Sequence, residues 1–288
     1  MRSSIGQAAT RTVPAPRGGT ASEQANRFIT LNCNLQSMSL NAIFGESYHH
    51  VDILLKQQST ARLPYYGPVV RGWLRDALHQ DEYLWKVLID HGVDVNPFFL
   101  STSHKNHYIS VTLWFMGFSE RFIKDIVVSL GSKVESHIGG GDCVIERVSY
   151  KEGKITPLKI GKRFRIDFKS PTALQKEHRQ ELVPELDEIV RAIIRSSNRF
   201  VKYYVKSCYP LHITNEVPRA DVTGFDLKTY LWKHRNVRGA VIPLQGIMGH
   251  IDYEVYEMTD ELKRILALPQ FFQVGRWVGY GFGRMEVS

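Results

Sequence analysis

The sequence predicts an α+β chain of two tandem βαββαβ units, the ferredoxin-like order, with a helical insertion in the second. Three observations carry this expectation. Strand and helix patterns alternate in the same order in the two halves, with no obvious sequence repeat. The length of 288 residues allows two modest cores, each burying its own hydrophobic face. A hydrophobic content of 43% and a charged content of 23% fit globular domains of ordinary composition.

The elements follow in chain order. Residues 1–26 are rich in Gly, Ala, Pro, Ser and Thr and read as a disordered basic tail, without the apolar core of a secretory signal. The first unit is expected over 27–155. Its first strand candidate is "RFITLNCNLQ", where Phe28 and Thr30 alternate with Ile29 and Leu31. Helical patterns follow in "YGPVVRGWLRDALHQ" and "DEYLWKVLID". A short strand near 97–103 and the β-branched and aromatic run "HYISVTLWFMG" come next. "SERFIKDIVVSLGS" is a helix capped by Ser119, with Phe122, Ile123, Ile126, Val127 and Leu130 on one face. "CVIERVSY" closes the unit as a strand.

The second unit is expected over 160–288. "KRFRIDFKS" sets Phe164, Ile166 and Phe168 against Arg163, Arg165, Asp167 and Lys169 on the other side. A long helical segment over about 172–206 reads as a finger inserted into the unit. Strands follow near 226–234 and 239–256. "TDELKRILAL" is a helix with Thr259 as its cap and two acids in its first turn. "YGFGRMEVS" is the last strand, and the chain is expected to stop because that strand completes the unit.

Charge gives the first functional lead. A net charge of +8 and a pI near 9.3 favour an anionic partner, nucleic acid or membrane surface. No apolar run approaches the ~20 residues that span a bilayer. Cys33, Cys143 and Cys208 are scattered, so neither a disulfide framework nor a zinc site is expected, and a cytoplasmic setting fits. No metal or cofactor is expected.

The cations are grouped. Arg191, Arg195, Arg199, Lys202 and Lys206 step by helical spacing and fall within an arc of about 80°, shared only by Glu188. The run Ser196–Ser197–Asn198 either continues that helix or breaks it into a hairpin. An unrelieved row of like charges is either a solvated face or a track for a phosphate backbone. Residues 162–169 present four cations and one acid, and "WKHRNVRG" adds Lys233, His234, Arg235 and Arg238.

The last cationic group lies in "VGRWVGYGFGRMEVS". Gly275, Gly279, Gly281 and Gly283 alternate there with Arg276, Trp277, Tyr280 and Arg284. The spacing is not that of a dinucleotide fingerprint, and no helix follows. The loop reads either as a bulged turn or as a seat for phosphate, with aromatics available to stack on bases.

Taken with "QGIMGHIDYEV" upstream, this loop resembles the C-terminal half of the CRISPR-associated endoribonucleases that process precursor crRNA, members of the repeat-associated mysterious protein (RAMP) superfamily. "RFRIDFKSPTAL", "YYGPVVRGWLRDAL" and "ISVTLWFMGFSERFIKDIV" are similar to further segments of that family, so the resemblance spans roughly residues 60–287. It implies binding of CRISPR repeat RNA and one cut within each repeat, with the mature crRNA retained. It further implies a cut that needs no metal, in which the ribose 2′-hydroxyl attacks the neighbouring phosphate and leaves a cyclic phosphate and a free 5′-hydroxyl.

The resemblance also places a histidine in the first unit near its first helix. The nearest candidates are His49 and His50, with Tyr48 beside them. Some members lack this histidine, in which case Arg71, Arg75 and Arg27 would bind and polarise the phosphate. The expected RNA contacts are Arg27, Arg75, Arg163, Arg165, Arg191, Arg195, Arg199, Lys202, Arg235, Arg238, Arg276, Arg284 and the four loop glycines. Three rival readings stay open: a non-catalytic repeat-RNA binder, a structural RAMP subunit held among other subunits of an effector complex, and a peripheral membrane protein using the basic helix.

Overall fold

The structure is a computed structural model. It describes residues 43–288 except 45, 59–62, 64, 93–94, 134, 139–140, 177–178, 181, 205–210, 212–215 and 236–238. The expected tail over 1–26, the strand candidate at 28–35, Arg27, Lys206 and Arg238 lie outside the described residues.

The first sheet is opened by β1 (Ser47–Gln57), a strand that the sequence reading did not foresee. Alternation builds it: His49, Val51, Ile53 and Leu55 are buried on one face, while Tyr48, His50, Asp52 and Leu54 lie on the other. Helices α1 (Gly67–Leu78) and α2 (Glu82–Leu88) follow, then β2 (Phe98–Lys105), β3 (Tyr108–Met116), α3 (Glu120–Gly131), β4 (Glu135–Ile138) and β5 (Gly141–Lys154). The strand order is β2-β3-β1-β5-β4, and every pairing is antiparallel. Without β4, this is the ferredoxin-like order.

Local chemistry sets the helix starts. Pro68 stands in the first turn of α1. Asp81 caps α2 through the Leu84 amide at 2.9 Å. Ser119 caps α3 through the Phe122 amide at 3.3 Å, as expected. Val70, Leu74 and Leu78 of α1 and Ile123, Ile126 and Leu130 of α3 bury against Val51, Ile53, Leu55, Val111 and Leu113.

The second sheet comprises β6 (Arg163–Thr172), β9 (Ala220–Arg235), β10 (Val241–Val255) and β11 (Met285–Val287), in the order β11-β6-β10-β9. Two short strands, β7 (Gln175–Lys176) and β8 (Arg179–Gln180), pair with each other after β6. Helix α4 (Leu186–Tyr204) then crosses to β9, and α5 (Asp260–Ala267) crosses to β11. Thr259 caps α5 at the Leu262 amide, 3.1 Å away, again as expected.

The helical segment expected over about 172–206 is therefore helical only from Leu186. It does not project as a finger. Ile189, Val190, Ile193, Phe200 and Val201 bury against Ile166, Phe168 and Ile251. Residues 196–198 do not break it, because Ser197 faces the core and the Asn198 side chain is bonded to the Leu211 backbone at 2.6 and 2.9 Å.

The face of the first sheet that its helices leave bare packs partly against the second unit. Phe99 meets Phe200 at 4.7 Å and Phe272 at 5.6 Å, and Tyr48 meets Phe271 at 4.9 Å. The outer edge of β2 is closed in its own plane. The buried Gln273 amide accepts from the Leu100 N–H at 3.2 Å and donates to the Leu100 carbonyl at 2.6 Å. One side chain thus replaces a missing strand at this point. No described helix is long and apolar enough to cross a membrane.

Candidate functional site

The glycine-rich loop lies in this seam. It runs from Val274, through a single 3₁₀ turn at Val278–Tyr280, to Arg284. On one side, α1 grips it. The Tyr65 hydroxyl donates to the Gly281 carbonyl at 2.5 Å, and Arg71 donates to the Gly279 carbonyl at 2.7 Å and to Asn96 Oδ1 at 2.8 Å. On the other side, the long β9–β10 hairpin packs on it. Leu244 and Phe282 are buried, with Tyr230, Trp232, Ile242, Trp277 and Tyr280 around them. His234 from that hairpin stands 4.7 Å from the Tyr280 ring.

Two glycines show why no other residue fits. Gly281 has φ +80°, and a Cβ there would lie 2.6 Å from Tyr65 Oη and 3.2 Å from the Leu100 carbonyl. Gly283 has φ +87°, and its Cβ would meet the Val274 carbonyl at 2.2 Å. The backbone is also committed internally. The N–H groups of Gly275, Gly281 and Gly283 donate to Ser196 Oγ, the Val278 carbonyl and the Pro171 carbonyl. These three are therefore not available as phosphate donors. Charge reaches the surface of this loop through side chains instead.

Arg71 is the most informative of these. Its guanidinium is largely buried, rests 5.9 Å from the Tyr280 ring centre, and has no carboxylate partner among the described residues. Burial lowers its pKa, and only Tyr280 opposes that shift. Arg276 is exposed and lies over the Trp277 ring at 4.7 Å. Trp277 itself adopts φ +63°, an uncommon conformation for a side chain of that bulk.

The expected catalytic group divides. His49 is 5% exposed, on the helix-covered face of β1, and its Nδ1 has no hydrogen-bond partner. His50 and Tyr48 lie on the opposite face. His50 is half-buried beside Trp114, at 6.4 Å between ring centres, and Asp52 stands 3.9 Å from its Nε2. Burial lowers its pKa below 6.5; Asp52 opposes the shift and Lys151 adds to it. Arg284 lies over the other ring of this group, 4.5 Å from the Trp114 centre, donates to the Gln270 carbonyl and meets Glu286 at 3.4 Å. Arg71, on α1, serves the helix-covered face. The structure therefore does not join Arg71 and His50 in one site.

The expected RNA contacts also sort by geometry. Arg163 pairs with Glu254 at 3.0 Å, Arg165 holds Asp252 in a two-pronged bridge at 2.7 and 3.0 Å, and Lys169 lies near Asp167 and Glu286. The cations of this face are thus joined by acids, Glu254, Asp252 and Glu286 from neighbouring strands beside Asp167 of the strand itself. On α4, Arg191 is bridged to Asp187 at 2.7 Å, so the stripe is not free of i,i+4 acids either. Arg195, Arg199 and Lys202 are exposed, with Lys202 over Tyr203 at 5.6 Å. Arg75 lies over Trp85 at 5.6 Å, next to His79, and Arg235 ends β9.

Sequence reasoning missed Asn96, Tyr65 and Gln273, whose roles arise only from contacts across the seam. His234 was noticed as part of a basic cluster but not as a neighbour of the glycine loop. Among the described residues, no three His, Cys, Asp or Glu side chains stand together as a metal site.

Comparison with known proteins places this geometry. Residues 166–285 match the model of the CRISPR-associated endoribonuclease Cas6 family. No curated protein matches the chain. Among solved structures, a Thermus thermophilus Cas6 superposes with a TM-score of 0.58 at 16% identity, covering 84% of this chain and 99% of its own. A Cas6 product complex gives 0.58 at 17% identity, with the same coverage. A Cas6-related protein of Pyrococcus furiosus gives 0.51 at 12%, covering 84% and 98%. The resemblance read from the glycine loop thus stands, and the two-sheet architecture is the Cas6 fold.

Proposed function

We propose that this chain is a CRISPR repeat-RNA endoribonuclease that binds precursor crRNA, cuts once within each repeat and retains the product. Its two units are expected to divide near residues 155–160, with the RNA path crossing their seam at the glycine loop. The observation that carries the reading is Arg71, a largely buried guanidinium fixed to that loop with no carboxylate to neutralise it among the described residues. Such a cation is well suited to an anionic ligand, and a phosphate of the RNA backbone supplies one. Tyr280 and Trp277 beside it offer faces on which unpaired bases stack.

The reaction we assign is internal transesterification. The 2′-oxygen forms a bond to the adjacent phosphorus as the bond to the 5′-oxygen breaks. The hydroxyl proton passes to a base, and the leaving oxygen receives a proton from an acid. Arg71 stabilises the added negative charge of the phosphorane. Among the described histidines, His234 stands against Tyr280, and we assign it the proton-transfer role. No metal is required by this chemistry. A second reading is favoured by the place of His50 beside Trp114, over which Arg284 lies: burial lowers the pKa of this imidazole, which suits it to act as the base.

Mapping the products of a repeat-containing RNA tests both. His234→Gln should abolish cleavage and leave RNA affinity within about threefold, while His50→Gln should cut normally. The reverse outcome transfers the chemistry to the His50 face. A single deoxyribose upstream of the cut should stop the reaction, and a chelator should not. Loss of cutting in chelator, restored by magnesium, overturns the metal-free step. Binding without any cut would leave an RNA-binding subunit of an effector complex.

A further inference from the structure

Strand β9 forms an edge of the second sheet, and among the described residues no strand pairs with its outer side. It is unusually long for an edge, at 16 residues. Its register with β10 is continuous from Arg235 to Gly224, and the only shift comes where Asp252 pairs with Gly224 but Tyr253 pairs with Val222. Proteins commonly blunt such edges with bulges, prolines, short strands or charged side chains, and β9 carries Asp226, Lys228 and Lys233. Here residues 224–235 carry no proline, and the one bulge lies at their far end. Phe225 is 59% exposed and Leu231 is 55% exposed.

We infer that this edge pairs with the same edge of a second copy, joining two four-stranded sheets into one of eight strands. Symmetry limits how that can happen. In an antiparallel pair, residues opposite each other point to the same face. A twofold axis perpendicular to the sheet therefore passes through one residue, which faces its own copy. With the axis at Leu227, Asp226 lies opposite Lys228 of the second copy, and Lys228 opposite its Asp226. Phe225 then lies beside Thr229, and Gly224 opens space for Tyr230. Moving the axis to Asp226 or to Lys228 sets like charges face to face. Neither Asp226 nor Lys228 makes an ion pair within the described residues, and both side chains are exposed. The Leu227 register satisfies both charges twice over.

The inference does not depend on the proposed RNA chemistry. An interface of this size is below the usual area of tight complexes, so association in the micromolar range is expected. The test measures the mass of the full chain by sedimentation equilibrium, up to about 100 µM. The parent should show a concentration-dependent dimer. Asp226→Lys and Lys228→Asp should each weaken it about tenfold or more, since the axis applies every change twice. The double variant, Asp226→Lys with Lys228→Asp, should restore association to within about threefold of the parent. Thermal melts of the three variants should match the parent, because both side chains are solvent-facing. A parent that stays monomeric, or a double variant no better than the singles, overturns the inference. So do single variants that change RNA affinity while the mass stays constant, since RNA would then be the occupant of this edge.

Discussion

Replacing Gly281 by alanine separates a loop that is shaped by the protein from one that is shaped by its ligand. The added Cβ would stand 2.6 Å from Tyr65 Oη and 3.2 Å from the Leu100 carbonyl, where about 3.4 Å is comfortable. A residue with a side chain at φ +80° costs about 1–2 kcal/mol. Displacing Tyr65, which is wedged against Leu244 and Phe282, adds about 1–3 kcal/mol of overpacking and loss of its bond to Gly281. The sum, roughly 2–5 kcal/mol, should lower Tm by about 5–15 °C in a chain of this size.

The most severe part of the clash, at 2.6 Å, is with the Tyr65 hydroxyl, so that part can be relieved. Tyr65→Phe alone should cost about 1 kcal/mol for the lost hydrogen bond. In that background, Gly281→Ala should cost its backbone strain and the remaining 3.2 Å approach to the Leu100 carbonyl, and the two changes should fall short of additivity by about 1–2 kcal/mol. Urea unfolding of the parent, both single variants and the double variant measures this directly. Additivity within about 0.5 kcal/mol would refute the assigned contact. The N–H of Gly281 donates to the Val278 carbonyl and not to a ligand. RNA affinity measured well below the melting range should therefore stay within about threefold of the parent. A large loss of affinity in the folded variant would return the glycine backbone to the RNA site.

Three further outcomes follow from the same geometry. Burial holds the pKa of His50 below 6.5, so the unfolded chain takes up that proton first; stability present above pH 6.5 should drain as pH falls through the folded value. Melts of the parent and His50→Gln should converge or cross on the acid side, and parallel curves would show that His50 does not titrate this way. Arg165→Gln should barely change the salt dependence of RNA binding, because Asp252 already holds that guanidinium, whereas Arg195→Gln should reduce the slope by about 0.7–0.9 if α4 tracks the backbone. Gln273→Leu should leave both Leu100 backbone groups buried without partners, cost about 2–4 kcal/mol, and speed hydrogen exchange of the Leu100 amide; unchanged exchange would mean that the edge of β2 is closed by something else.

What could be read in advance was local. Ser119 and Thr259 were legible as caps because a cap bonds an amide three residues on. The strict alternation of Phe164, Ile166 and Phe168 announced β6 because the pleat imposes it. By contrast, β1 was missed although Val51, Ile53 and Leu55 alternate. Its first half, Ser47–Tyr48–His49–His50, is polar and aromatic, and drew attention as chemistry before it was tested as a strand. The placement of His49 and His50 on opposite faces follows from that strand alone.

The errors about charge have a different cause. Arg163 and Arg165 looked bare because a strand shows only its own side chains, while their partners Glu254 and Asp252 arrive from β10, nearly 90 residues later. The pair Asp187–Arg191, at helical spacing, was readable and was overlooked. The glycines present the same problem in sharper form. Their clustering showed that something must come close, but at Gly281 the approaching atom belongs to Tyr65, 216 residues earlier, and at Gly283 it is the Val274 carbonyl. Once three of the loop's amides are engaged within the protein, the loop can still serve RNA in one way: as the rigid support that fixes Arg71, Tyr280 and Arg276. Its glycines then matter to affinity only through the positions of those side chains. On this argument an arginine variant should weaken binding without lowering Tm by the amount that Gly281→Ala does.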